Sequence, residues 1–242
     1  MKGVLYREWV LFSAQRAGFW LGLAEPAFYL TFFLAGIGQM LGGGGYVLFA
    51  FPGLLAMMAM VVGQRAGVPV FFDRMTGEAE TLCSLPLPRV AFLSGRLITA
   101  VARMWVETIL AIGLGLLLYP PLRTLSPTAW LFLTLGAGGA AVLWSCIFIW
   151  IAGTVRNQTQ FNLAMNLVIS PLLLTSTAFY PLEHLPAWVR WVGAANPMSY
   201  VVTGLRAAVV LRMPGWLDVA VVAATGIIAF AGAWRSFGCL RP

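Results

Sequence analysis

Apolar residues run along this chain in blocks long enough to cross a bilayer, and polar residues gather in short stretches between them. A helix needs about 20 predominantly apolar residues to cross some 30 Å of hydrocarbon. Six blocks approach or exceed that length: about Phe19–Leu41, Tyr46–Val70, Val90–Leu118, Ala129–Thr154, Phe161–Phe179 and Trp216–Trp234. The Gly42–Gly45 run reads as a turn between the first two. The third block is longer than a bilayer requires and is expected to project into the cytosol. Tyr119–Thr128, with Pro120, Pro121 and Pro127, reads as a short loop, and Val155–Gln160 as a tight polar turn. Ahead of the first block, Val4, Leu5, Trp9, Leu11 and Phe12 interleave with Lys2, Arg7, Glu8 and Arg16, which predicts an interfacial helix over residues 1–17. The pattern predicts an all-α polytopic membrane protein with six transmembrane helices, one transmembrane domain over 1–242.

Between the fifth and sixth blocks, Tyr180–Gly215 does not read as a simple loop. Leu185–Ala194 is rich in Trp and Leu with Pro186 near its start, and Asn196–Pro197 offers an N-cap residue followed by proline at the first helical position. Met198–Leu211 then continues as an apolar run carrying Arg206. Each piece is too short to span, so 180–215 is expected to form two short re-entrant helices that dip into the outer leaflet or lie on it.

Composition agrees. Sixty per cent of residues are hydrophobic and 10% charged, too few charges for the surface of a soluble chain. The net charge of +7 is distributed in loops beside apolar blocks, where it sets orientation and meets anionic lipid rather than nucleic acid. One assignment puts Lys2, Arg7, Arg16, Arg65, Arg74, Arg89, Arg96, Arg156, Arg235 and Arg241 on one face, against Arg123, Arg190, Arg206 and Arg212 on the other. The positive-inside rule makes the first face, with both termini, cytoplasmic. A cleavable signal peptide is not expected, because Met1–Ala17 carries charges throughout.

Several chemistries are excluded. Three cysteines (Cys83, Cys146, Cys239) and a single histidine, His184, assemble no metal site. His184 beside Glu183 has no second catalytic partner and reads as an interfacial polar residue, so no catalytic residue is assigned. The only lysine is Lys2, with no Gly-rich loop before it, so the chain has no P-loop and any ATP-driven motor is another polypeptide.

Charges inside spans need partners, at roughly 2.5 to 3.5 kcal/mol each on insertion scales. Arg103 and Glu107 sit at i and i+4 and can neutralise each other, while Glu25 and Arg65 are expected at similar depths and form a second candidate pair. In the fifth block Gln158, Asn162, Asn166 and Ser170 recur every four residues and run into Pro171, with Thr175 and Thr177 beyond. The stripe is either hydrogen-bonding glue between helices or the lining of a path for an amphiphile. Met57, Met58 and Met60 are either membrane core or an adaptable apolar wall. In 73–89, Arg74, Thr76, Glu78 and Glu80 supply polar contacts, Leu82, Leu85 and Leu87 suit a partner's apolar groove, and Pro86 and Pro88 stop the helix. An ordinary solvated loop with a short amphipathic helix is the plainer alternative.

Three stretches resemble one family, the ABC-2 type transport permeases. FFDRMTGEAETLCSLPLPR (71–89) is similar to the family's acidic, Gly-containing cytoplasmic segment ending in Leu-Pro. AFYPLEHLPAWVRWVGAANPMSYVVTGLR (178–206) resembles its re-entrant region, through Tyr180-Pro181, Leu185-Pro186, Asn196-Pro197-x-x-Tyr200 and the following Arg206. EPAFYLTFFLAGIGQM with YVLFAFPGLLAMMAM looks most like the drug and nodulation-factor exporter branch.

The resemblance implies an export permease in the inner membrane of a bacterium or archaeon. It implies a permease dimer on cytosolic ABC ATP-binding subunits, which would hold ATP and Mg while this chain holds no cofactor. It places the coupling helix in 71–89, assigning Asp73, Arg74, Thr76, Gly77, Glu78, Glu80, Leu82, Leu85 and Pro86 to that contact. It places the dimer contact and substrate route on helices one and five, and with the residue patterns above the candidate path comprises Tyr29, Phe33, Met57, Asn162, Asn166, Ser170, Thr175 and Thr177. The alternatives are an ion-gradient-driven secondary transporter and a haem-export-like permease. A drug, a glycolipid or a lipid-linked saccharide would each suit such a path.

Overall fold

The computed structural model describes residues 24, 28–36, 44–78, 89–180, 186–210 and 214–236. The expected interfacial helix, Glu25, most of the first block, Glu80, Leu82, Leu85, Pro86 and Pro181 lie outside them. Among the described residues all regular structure is helical: a π-helical turn Tyr29–Phe33, then α1 (Gly44–Met75), α2 (Arg89–Leu118), a 3-10 turn Pro120–Thr124, α3 (Pro127–Thr154), α4 (Gln158–Leu174), α5 (Ala187–Ala195), α6 (Pro197–Val209) and α7 (Trp216–Ser236).

Four of these helices are long and apolar enough to cross a membrane: Gly45–Met75, Leu93–Leu118, Pro127–Thr154 and Trp216–Ser236. They match the second, third, fourth and sixth blocks. The fifth block departs from expectation, because α4 stops at Leu174 after 17 residues instead of reaching Phe179. At its end Thr175 Oγ1 donates to the Pro171 carbonyl at 2.8 Å and Ser176 Oγ to that of Leu173 at 2.8 Å. Two other boundaries shift. Gly44 and Gly45 are helical instead of forming a turn, and α1 runs past Val70 to Met75, so Phe71–Arg74 extend the span.

α1 is the central helix, with every residue from Phe51 to Met60 buried. Its most extensive neighbour is α3, and α6 and α2 cover further faces. The close α1–α3 approach follows from a GxxxG pair. A Cβ at Gly63 would lie 2.5 Å from Trp144 Cβ, and one at Gly67 would lie 2.7 Å from the Phe148 carbonyl oxygen. Helices in lipid gain no hydrophobic drive from one another, so close backbone approach and dispersion supply the association. α7 packs mainly on α3 and leaves Trp216, Val219, Ile227 and Ile228 more than half exposed, as suits a lipid-facing helix. α4 touches the remaining helices only lightly.

Candidate functional site

At the Met75 end, α1 is bound to three other helices by side chains from the 71–78 stretch. Asp73, 8% exposed, accepts from Arg96 Nη2 on α2 at 2.7 Å, and Arg96 is itself buried. Arg74 Nη1 donates to the carbonyls of Ala152 (2.7 Å) and Val155 (3.2 Å), capping the end of α3 where helix carbonyls have no partner of their own. Phe71 stacks on Phe161 of α4, ring centroids 4.3 Å apart and nearly parallel. Asp73 and Arg74 therefore serve contacts inside the chain. Phe72, Met75, Thr76, Gly77 and Glu78 are exposed, and Gly77 takes the positive φ of 76° that ends the helix.

One turn or more deeper, Glu107 is the shared carboxylate of two arginines. Arg103 Nε reaches its Oε1 at 3.0 Å along α2, and Arg65 Nη1 reaches the same oxygen from α1 at 3.1 Å. The Glu107 side chain is 2% exposed, against 27% and 23% for the two arginines. The Arg103–Glu107 spacing was legible in sequence; the cross-helix contact from Arg65 was not. Whether Glu25 joins it lies outside the described residues.

α4 carries the polar stripe on an open face. Gln158, Asn162, Asn166 and Ser170 are all exposed, alongside Leu163, Leu167 and Leu174 at about two-thirds exposure, while Phe161 and Met165 face inward. Asn166 Nδ2 donates to the Asn162 carbonyl of its own helix at 3.0 Å and, among the described residues, not to another helix. The other residues assigned to the path are divided. Met57 is buried in the core at 3% exposure. Tyr29 is half-buried on the π-helical turn, which is tied to the end of α2 by Tyr119 Oη donating to the Leu30 carbonyl. Burial raises that phenol above its ordinary pKa. Phe33 lies in the same turn.

At the other end of the bundle, the Asn-Pro-x-x-Tyr element builds the corner between α5 and α6. Asn196 Oδ1 caps Met198 N at 2.8 Å, Pro197 takes the first helical position, and Tyr200 Oη donates to the Ala194 carbonyl of α5 at 2.6 Å. Asn196 Nδ2 reaches back to the Leu172 carbonyl (2.6 Å) and Thr175 Oγ1 (3.0 Å), fastening the corner to the end of α4. Arg206 on α6 donates through Nε to the Phe49 carbonyl at 3.0 Å and through Nη2 to those of Thr177 and Ala178. Its guanidinium carbon lies 3.6 Å over the Phe49 ring. Tyr180 is half-buried and Pro186 stands at the N-cap of α5. Tyr46, Gly53, Gly63 and Gly67 were missed in the sequence, although the last two show the GxxxG signal.

Comparison with known proteins finds relatives of one family. The family model described as ABC-2 type transporter matches residues 1–210. The inner membrane transport permease YadH of Escherichia coli strain K12 is 25% identical over 193 residues, 76% of this chain and 73% of YadH. Nodulation protein J of Rhizobium leguminosarum bv. viciae is 24% identical, covering 76% of this chain and 71% of its own length. A ycf38 protein of Cyanophora paradoxa is 28% identical over 66% of this chain, and the match spans 55% of that protein.

Proposed function

This chain belongs to the ABC-2 type transporter family, as a multi-pass transport permease, and we propose that it is the membrane-spanning subunit of an ATP-driven exporter, worked by a separate cytosolic ATP-binding subunit. The Met75 end then faces the cytosol with both termini, and the Pro120 end faces outward. Thr76, Gly77 and Glu78, with Glu80, Leu82, Leu85 and Pro86 beyond, form the docking segment. Two copies meet along α4 and the first helix, and the substrate is an amphiphile such as a drug, glycolipid or lipid-linked saccharide.

One observation carries this reading: the residues leading into the docking segment grip the helix that bears the polar stripe. Phe71 stacks on Phe161 at the start of α4, and Arg74 holds the α3 carbonyls immediately before the α3–α4 turn. A pull on the docking segment would therefore reach α4 directly through Phe71 and indirectly through the end of α3 held by Arg74. Exposed asparagines on a helix of this length are costly against lipid, so the open face of α4 suits a second copy and a polar-lined path between the two.

The test is reconstitution. The permease purified with its ATP-binding subunit should hydrolyse ATP, faster with substrate, and move substrate into inverted proteoliposomes only when ATP is supplied. Hydrolysis by this chain alone, or transport driven by a proton gradient without ATP, would sink the proposal.

A further inference from the structure

Beyond the end of α4 the chain does not coil loosely but lies as a strap, Thr175–Phe179, across α1. Its backbone fits there because position 53 is glycine: a Cβ would collide with the Ala178 carbonyl. An unwound segment cannot satisfy its own carbonyls; side chains of α1 and α6 take three of them, and a third side chain holds a strap hydroxyl. Tyr46 Oη of α1 donates to the Phe179 carbonyl at 3.1 Å, Asn196 of the α5–α6 corner bonds Thr175 Oγ1 at 3.0 Å, and Arg206 of α6 takes the Thr177 and Ala178 carbonyls. Arg206 also bonds the Phe49 carbonyl of α1, so one guanidinium joins strap, α1 and α6.

We propose that Arg206 is a positioning residue that latches the outer exit of the transport path, and that its release of the strap 175–179 opens that exit. This rests on the permease reading above, because the strap continues the polar-faced α4. Arg206 makes no ion pair among the described residues. Neutral carbonyls and a ring are partners that water can replace, whereas a buried carboxylate cannot be exchanged so cheaply. Since the clasping groups sit on α1, α6 and the α5–α6 corner, a shift of α6 against α1 breaks them together.

Ser176 reports the latch, being a fully buried residue of the strap itself and close in size to cysteine. With Cys83, Cys146 and Cys239 replaced, Ser176→Cys is introduced into the full chain assembled with its ATP-binding subunit, and labelling by a membrane-impermeant maleimide is timed. Slow labelling is expected at rest, with a rise during ATP turnover. Arg206→Gln should raise the resting rate about tenfold or more, Arg206→Lys less, and Tyr46→Phe a few fold, as carbonyl bonds are lost. An unchanged rate in Arg206→Gln that remains monodisperse overturns the latch. If that variant does not fold, no rise in either Arg206→Lys or Tyr46→Phe overturns it. Wild-type labelling indifferent to ATP while substrate moves overturns it as well. Labelling that rises with latch loss but is reached only from the cytosolic side keeps the latch and refutes the outward orientation, so the two failures are separable.

Discussion

The two ends of the bundle hold their arginines by different means. At the Met75 end Arg65 and Arg103 share the carboxylate of Glu107, and Arg96 holds Asp73, so charge meets charge across α1 and α2. At the Pro120 end Arg206 holds backbone carbonyls and a phenylalanine ring, and Arg123 holds the Leu116 and Leu117 carbonyls at the end of α2. An ion pair inside a membrane fixes two helices in one register, because separation strands both charges in a medium that cannot solvate them. A guanidinium on carbonyls leaves only neutral groups behind when it moves. On the reading proposed above, the first end transmits a push as a rigid body and the second lets go.

The largest effect should come from breaking the first end. Glu107→Gln leaves Arg65 and Arg103 without the carboxylate they share and should cost on the order of 3 to 5 kcal/mol, read as a lowered midpoint of unfolding in detergent. Arg206→Gln should cost less, about 1 to 3 kcal/mol, since no charge is stranded. A reversed order would break the comparison. Next, a double-mutant cycle with Asp73→Asn and Arg96→Gln should give a coupling energy of about 1 to 3 kcal/mol, above that of Tyr46→Phe with Arg206→Gln. Arg74→Gln should lower stability by only about 1 kcal/mol, as for a lost helix cap. Its main consequence should be uncoupling: ATP hydrolysis retained while substrate transport falls.

The asymmetry was partly legible in the sequence. Periodicity and block length gave the helices, because an apolar run of this length has few alternatives. The Asn196-Pro197 cap was readable for the same local reason, and so was the i, i+4 spacing of Arg103 and Glu107. What sequence concealed depends on which helices are neighbours. Arg65 reaching Glu107 spans two helices, Asp73 turns inward to Arg96 once α1 runs past Val70, and Met57 is buried because α1 is central. The early stop of α4 at Leu174, where Thr175 and Ser176 bond nearby carbonyls, is an outcome that block hydropathy does not weigh.

The smallest expected change concerns α4, which belongs to neither end and is packed lightly against both. Asn166 is exposed, and among the described residues its side-chain amide bonds only its own helix. Asn166→Leu should therefore shift the unfolding midpoint of the isolated chain by no more than about 0.5 kcal/mol. Transport by the assembled complex should nonetheless drop, or the dimer should loosen on size-exclusion chromatography, if the stripe faces a second copy and the path between them. A stability loss of several kcal/mol with unchanged transport would mean that the amide supports the fold of one chain. α4 would then join the rigid frame, and the push delivered by Phe71 and Arg74 would have to leave through another helix.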